Sequence, residues 1–234
     1  MTELLIAYED RDILIIDKPS GIHSVISRTR KNQSVAALLL ERDPKSARYS
    51  DKEEDAGLIQ RLDFETCGLL IAAKNKTSWS MLRALLKNGG IYKEYLALCE
   101  GRAPQALRIR NWIGAAGRSS KKVKIFKISG ARRLAAETAL TRSVYRPEGD
   151  CSLVTFVAVT ARRHQIRAHA ATLGHPLVGD ALYGSTRTLP PIKGLNKTFD
   201  QEPVNFYLNA SLLQFVHPRT GASIRVESGY RLIF

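Results

Sequence analysis

The chain has 234 residues, 44% of them apolar and 25% charged, which is enough for one substantial core and ordinary for a soluble globular protein. The unusual property is charge. Lys and Arg number 36 against 22 Asp and Glu, a net +14 at pH 7, which suits a polyanionic partner because each neutralised phosphate releases counterions. Three scattered cysteines (Cys67, Cys99, Cys151) make neither a disulfide framework nor a zinc knuckle, and no apolar run approaches a membrane span.

The opening MTELLIAYEDRD turns acidic after a few apolar residues, too short and wrongly charged for a secretory signal, so a reducing, cytoplasmic setting is expected. Leu4–Tyr8 and Ile13–Ile16 read as short strands around a charged turn, and Lys18-Pro19-Ser20-Gly21 stops the second. Residues 33–42 have Val35, Leu38, Leu39 and Arg42 at helical spacing. Residues 43–54 show no pattern and read as an exposed loop. Leu69–Ala73 is apolar throughout, as in a strand buried on both faces. Trp79, Leu82, Leu85 and Leu86 predict a helix stopped at Gly89-Gly90, followed by a strand over 91–99.

From residue 102 to 133 the chain is rich in Gly, Arg and Lys, with Lys121, Lys122, Lys124 and Lys127 interleaved among Val123, Ile125, Phe126 and Ile128. This predicts a strand or hairpin with a cationic edge. It is either an RNA footprint or a lysine-guarded edge strand. Strands over 138–144 and 152–159 follow, then a short helix over 164–173 closed by Gly174 and Pro176. Many strands and few helices give an α+β class and argue against a doubly wound sheet. Neither GxGxxG nor a P-loop occurs, so no nucleotide cofactor is expected.

Two polar motifs stand out. In RLDFETCGLLIAAK, Arg61 and Asp63 are two apart and share a face if the run is extended. A loop held at the root of a buried strand suits a binding lip, although a surface ion pair has the same pattern. In RRHQIRAHAATLGHPLVGDALYG, residues 162–184, Arg163 and Arg167 are at i,i+4, whereas His164 and His169 diverge on a helix. HExxH is absent, so no metal is expected, and His169 or His175 reads as structural, bonded to backbone. A buried Arg167 would need an anion, and Asp63 is a candidate.

These motifs resemble the RluA-like pseudouridine synthases. The signature occurs as Arg61-Leu62-Asp63-Phe64-Glu65-Thr66-Cys67-Gly68, preceded by YEDRDILIIDKPSGIH at 8–23. Lys93-Glu94-Tyr95, ARRHQIRAHAATLGHPLVGDALYG at 161–184 and LNASLLQFVHPRTG at 208–221 follow in family order. The chain departs from the pattern at Gln60, Cys67, Ala161, Arg163 and Asn209, and an N-terminal S4-like domain is not expected.

The resemblance implies one catalytic domain over 1–234 with the pseudouridine synthase fold, a mixed, largely antiparallel sheet with few helices and a central active-site cleft. It would act as a monomer on a stem-loop of ribosomal or transfer RNA, with no cofactor, metal or membrane. Asp63 becomes the catalytic carboxylate, either attacking C1′ or removing a C2′ proton. Arg167 would pair with Asp63 and hold it ionised, and Tyr95 would lie against the uracil. Arg61 would fill the space left by the everted nucleotide, and Ile166 would wall the uracil. Arg163, Lys121, Lys122 and Lys124 would contact RNA. A non-catalytic RNA-binding protein and a metal-dependent nuclease are the rival readings.

Overall fold

The structure is a computed structural model, and it describes residues 4–26, 34–117, 120–189 and 204–230. In chain order the elements are β1 (Ile6–Glu9), β2 (Ile13–Lys18), α1 (Val35–Arg42), β3 (Cys67–Ala73), α2 (Lys76–Lys87), β4 (Ile91–Glu100) and β5 (Leu107–Ala115). Then come β6 (Val123–Phe126), β7 (Leu134–Arg146), β8 (Cys151–Ala158), α3 (Gln165–Thr172), β9 (Leu208–Val216) and β10 (Ser223–Glu227). This is a mixed α+β fold with mostly antiparallel pairing and few helices, as expected. Contacts divide the chain into two compact units. One comprises Met1–Tyr92, Pro191–Val204 and Asn209–Phe234, and the other Lys93–Pro190 with Asn205–Leu208.

In the first unit β2 and β3 form the buried spine, with every residue of both strands inside. β1 pairs antiparallel with β2, and β2 with β3. A short parallel contact joins Cys67 and Gly68 to Asn209 and Ala210 of β9, and β10 pairs antiparallel with β9. Period-two alternation on a strand covered from both sides yields two cores. Ile13, Ile15, Leu69 and Ile71 pack with Leu82 and Phe215, while Leu14, Ile16, Leu70 and Ala72 pack with Ile22, Val35 and Leu39. Side-chain caps start both helices: Ser34 Oγ accepts from the Ala37 N–H, and Asn75 Oδ1 from the Ser78 N–H.

The second unit is an antiparallel ladder in which β4 pairs β8, β8 pairs β7, β7 pairs β5 and β5 pairs β6. Its core gathers Ala97, Cys99, Val154 and Phe156 from the strands and Ile166 and Ala170 from α3.

Several expectations need adjustment. The unpatterned 43–54 stretch contains two 3-10 turns, Pro44–Arg48 and Glu53–Asp55, the first capped by the Asp43 carboxylate on the Lys45 N–H. The basic segment is a β5–β6 hairpin whose second strand covers only Val123–Phe126. Gln33, the first residue of the predicted helix, and Arg118 and Ser119 of the basic segment lie outside the described residues. α3 begins at Gln165, after His164 adopts a left-handed φ of 52°. Arg163 therefore precedes the helix and is exposed, and no i,i+4 face with buried Arg167 forms. No helix of the described residues is long and apolar enough to cross a membrane.

Candidate active site

The loop carrying Arg61 and Asp63 is irregular from Arg61 to Asp63 and turns through Phe64 and Glu65 into β3. Arg61 is exposed and Asp63 half-buried. The Thr66 N–H donates to the Asp63 carbonyl at 3.2 Å, closing the turn. The segment after β2 holds this loop through its backbone. The Gly21 N–H donates to the Phe64 carbonyl (3.0 Å) and Ser20 Oγ to the Glu65 carbonyl (2.8 Å). Ser24 Oγ donates to the Leu62 carbonyl and accepts from the Leu62 N–H at 2.8 and 2.9 Å. His23 and Phe64 rings meet at 4.8 Å. Leu62 packs beside the core, as an anchor for the loop should.

Lys18 lies beneath this loop with no exposed surface. Its ammonium donates to the carbonyls of Pro19 (2.9 Å), Ile22 (2.9 Å) and Phe64 (3.2 Å). Burial pushes its pKa down to about 7, while the neighbouring Cys67 and the Asp63 carboxylate act to raise it. Three carbonyls match the three N–H groups of the ammonium, so the cage is built for the charged form. Burial also pushes the Cys67 thiol up to about 12, keeping it protonated. Lys18 was legible in the sequence only as part of a turn signal.

In the second unit, Tyr95 of β4 is half-buried opposite Phe156 of β8 and packs against the core to which Ile166 belongs. Arg167 is buried, and its Nε and Nη2 donate to Asp180 at 2.7 and 2.8 Å, a bidentate pair with both side chains almost wholly inside. The guanidinium lies 4.5 Å from the Phe206 ring centre and 5.1 Å from that of Tyr183. The anion that a buried arginine requires is thus supplied by Asp180, which the sequence reading missed because it sits in an aperiodic turn.

Tyr183 also ties the basic hairpin to α3. Its hydroxyl accepts from the Val123 N–H at 3.0 Å and lies 3.0 Å from His164 Nδ1. Burial, then the charges of Arg167 and Arg163, push the His164 pKa down to about 4. The imidazole is therefore neutral at pH 7, and it shares one hydrogen bond with the phenol whose direction is set by the tautomer. Lys121, Lys122 and Lys124 are exposed on this hairpin. Lys122 Nζ stands 5.2 Å from the Tyr183 ring centre, and Arg163 donates to the Ser120 carbonyl at 3.1 Å.

The remaining histidines are structural. His169 is fully buried with Nε2 2.9 Å from Asn111 Oδ1, a side-chain rather than a backbone partner, whereas His175 Nδ1 meets the Glu100 carbonyl at 2.9 Å. Asp10, Asp12 and His217 cluster with ligand atoms within 4.8 Å. Most of their donors and acceptors are already committed, although the buried His217 Nε2 makes no hydrogen bond of good geometry. His217 Nδ1 accepts from the N–H groups of Arg219 and Thr220, Nε2 faces Asp10, and Asp12 binds Arg219, Asn75 and Ser78. The cluster reads as a corner brace.

A family model described as RNA pseudouridylate synthase matches residues 12–172, a span that includes Asp63, Tyr95 and Arg167. The chain belongs to this family. It is 31% identical over 236 residues to ribosomal large subunit pseudouridine synthase D of Xanthomonas campestris pv. campestris, covering 96% of this chain and 65% of that protein. It is 32% identical over 234 residues to ribosomal large subunit pseudouridine synthase C of Escherichia coli K12, covering 96% and 66%. The chain thus spans about two thirds of the length of these relatives. Among solved structures it is similar to human RNA pseudouridylate synthase domain containing 1, with a TM-score of 0.69, 26% identity and coverage of 97% and 84%.

Proposed function

We propose that the protein isomerises a specific uridine to pseudouridine in a structured ribosomal or transfer RNA, as a cytoplasmic monomer. The observation that carries this reading is the family match across Asp63, Tyr95 and Arg167, together with a loop whose backbone is held rigidly around Asp63. The reaction breaks the N1–C1′ bond, turns the uracil and joins C5 to C1′. C5 loses its hydrogen and N1 regains one, so the change balances with no redox partner, group donor or cofactor.

Asp63 supplies the carboxylate, by attack on C1′ or by removal of the C2′ proton. The pairing of Arg167 with Asp63 expected from the sequence is retained as part of this proposal, with Asp180 orienting the guanidinium. Tyr95 lies against the uracil, Ile166 walls it, and Arg61 compensates part of the unstacking cost of about a few kcal/mol. Lys121, Lys122, Lys124 and Arg163 neutralise phosphates and set position, and they carry no sequence information.

The test uses RNA labelled with [5-3H]uridine and isolated from cells lacking this gene, because joining C5 to C1′ releases the tritium. Wild-type protein should release tritium and leave mappable pseudouridine, and Asp63→Asn should bind the RNA and release none. A folded Asp63→Asn variant that worked at the wild-type rate would defeat the assignment. Binding by wild-type protein without release would favour the non-catalytic reading.

A further inference from the structure

We propose that Tyr183 couples the basic hairpin to Arg167, so that RNA seated on Lys122 sets the geometry of the catalytic guanidinium. The inference rests on the synthase reading above and adds to it a route by which substrate contact reaches the chemistry. Tyr183 is only 6% exposed, and its ring sits in a small core with Ile113 and Val123 of the hairpin and Ala168 of α3. Two cations face the ring, Lys122 at 5.2 Å and Arg167 at 5.1 Å. One is an exposed lysine suited to phosphate, and the other is locked by Asp180.

The hydroxyl adds a second link. The Val123 N–H donates to the Tyr183 oxygen, and the same hydroxyl shares a hydrogen bond with His164 Nδ1 at 3.0 Å. Each member satisfies the next, and such chains strengthen cooperatively. His164 stands three residues before Arg167, its carbonyl accepts from the Ala168 N–H at 2.9 Å, and it holds a left-handed backbone. That conformation costs a non-glycine residue about 1 kcal/mol or more and persists only where its surroundings impose it. The hairpin therefore helps fix the first turn of α3, and with it the root of Arg167. Asp180 and Tyr183 are positioning residues in this scheme.

The experiment measures tritium release in a single turnover with enzyme saturating the labelled RNA described above, alongside RNA affinity by filter binding and thermal stability. Tyr183→Phe keeps the ring and removes the relay. It should slow the saturated rate about five- to tenfold, the worth of one hydrogen bond, with affinity changed by less than about twofold. Lys122→Gln, on an exposed residue, should weaken binding and also slow the saturated rate. In the Tyr183→Phe background its effect on the rate should shrink while its effect on binding persists, a non-additivity that reads coupling directly. An unchanged saturated rate in Lys122→Gln, or additive effects in the double variant, would overturn the coupling and leave the synthase reading intact. Wild-type protein that released no tritium would overturn both.

Discussion

The ammonium of Lys18 donates to the carbonyl of Phe64 at 3.2 Å, one residue beyond Asp63, while the same group binds the carbonyls of Pro19 and Ile22. A charge wholly out of water is tolerated because all three of its donors are used, and each such bond contributes about 1.5–3 kcal/mol. Lys18→Met keeps the stem and strands three carbonyls beneath the loop. We expect a loss of about 3 kcal/mol or more in urea denaturation and faster proteolytic cleavage near residues 61–65. A Lys18→Met protein of wild-type stability would show that the cage does not hold the loop.

Asp180 poses the converse problem of removing one half of a buried pair. Asp180→Ala would leave the Arg167 guanidinium buried without its bidentate carboxylate, a change that costs about 3–5 kcal/mol. Asp180→Asn preserves the volume but offers one acceptor and one clashing donor. It should cost less stability than alanine while still lowering the saturated tritium-release rate. Denaturation curves with rates at saturating RNA separate the two effects, and a wild-type rate for Asp180→Asn would remove Asp180 from the positioning of Arg167.

Gly68 ends the signature run and starts the buried strand. Its φ is +106°, and an added Cβ would fall 2.4 Å from the Ala210 carbonyl oxygen, 2.4 Å from Asn209 Oδ1 and 2.5 Å from the Ala210 nitrogen. Two of these are backbone atoms of the parallel β3–β9 contact, which cannot yield without parting the strands. Gly68→Ala should therefore destabilise by several kcal/mol, at the upper end for a single substitution, whereas Gly89→Ala meets no atom within 4 Å and costs only its backbone strain. Thermal melts of the two variants make the comparison.

Fold class and most elements were legible because the periodicities are strong. β2, β3, α2, β4 and β8 declare themselves by apolar runs or by three- and four-residue spacing. β5 and β10 were not read because Arg108, Arg110 and Arg225 on their exposed faces dilute any apolar pattern. The residue types of the site were legible only through the motif order. What no pattern could give was the partner of each charge: Asp180 for Arg167, the carbonyl cage for Lys18, and Tyr183 beneath the hairpin. Those pairings are made by aperiodic turns brought together in three dimensions, where local spacing carries no signal.

Lys93 is another buried cation and behaves unlike Lys18. It is 3% exposed, two residues before Tyr95 on β4, and the charge that bears on it is the like charge of Arg162. Burial first, and then the charge of Arg162, lower its pKa from 10.5 to about 8. Between those two values the unfolded chain binds the extra proton, so stability rises with pH across this window and the penalty is full below about pH 8. The shift from 10.5 to about 8 corresponds to roughly 3 kcal/mol. Lys93→Met should accordingly be more stable than wild type at pH 7, with the gap closing as pH approaches 10.5, because methionine retains the stem and removes the charge. Urea denaturation of both proteins at several pH values cancels the other alkaline titrations in the difference. A variant equal to or weaker than wild type at pH 7 would mean that the ammonium is compensated, and Lys93 would join Lys18 as a structural cation.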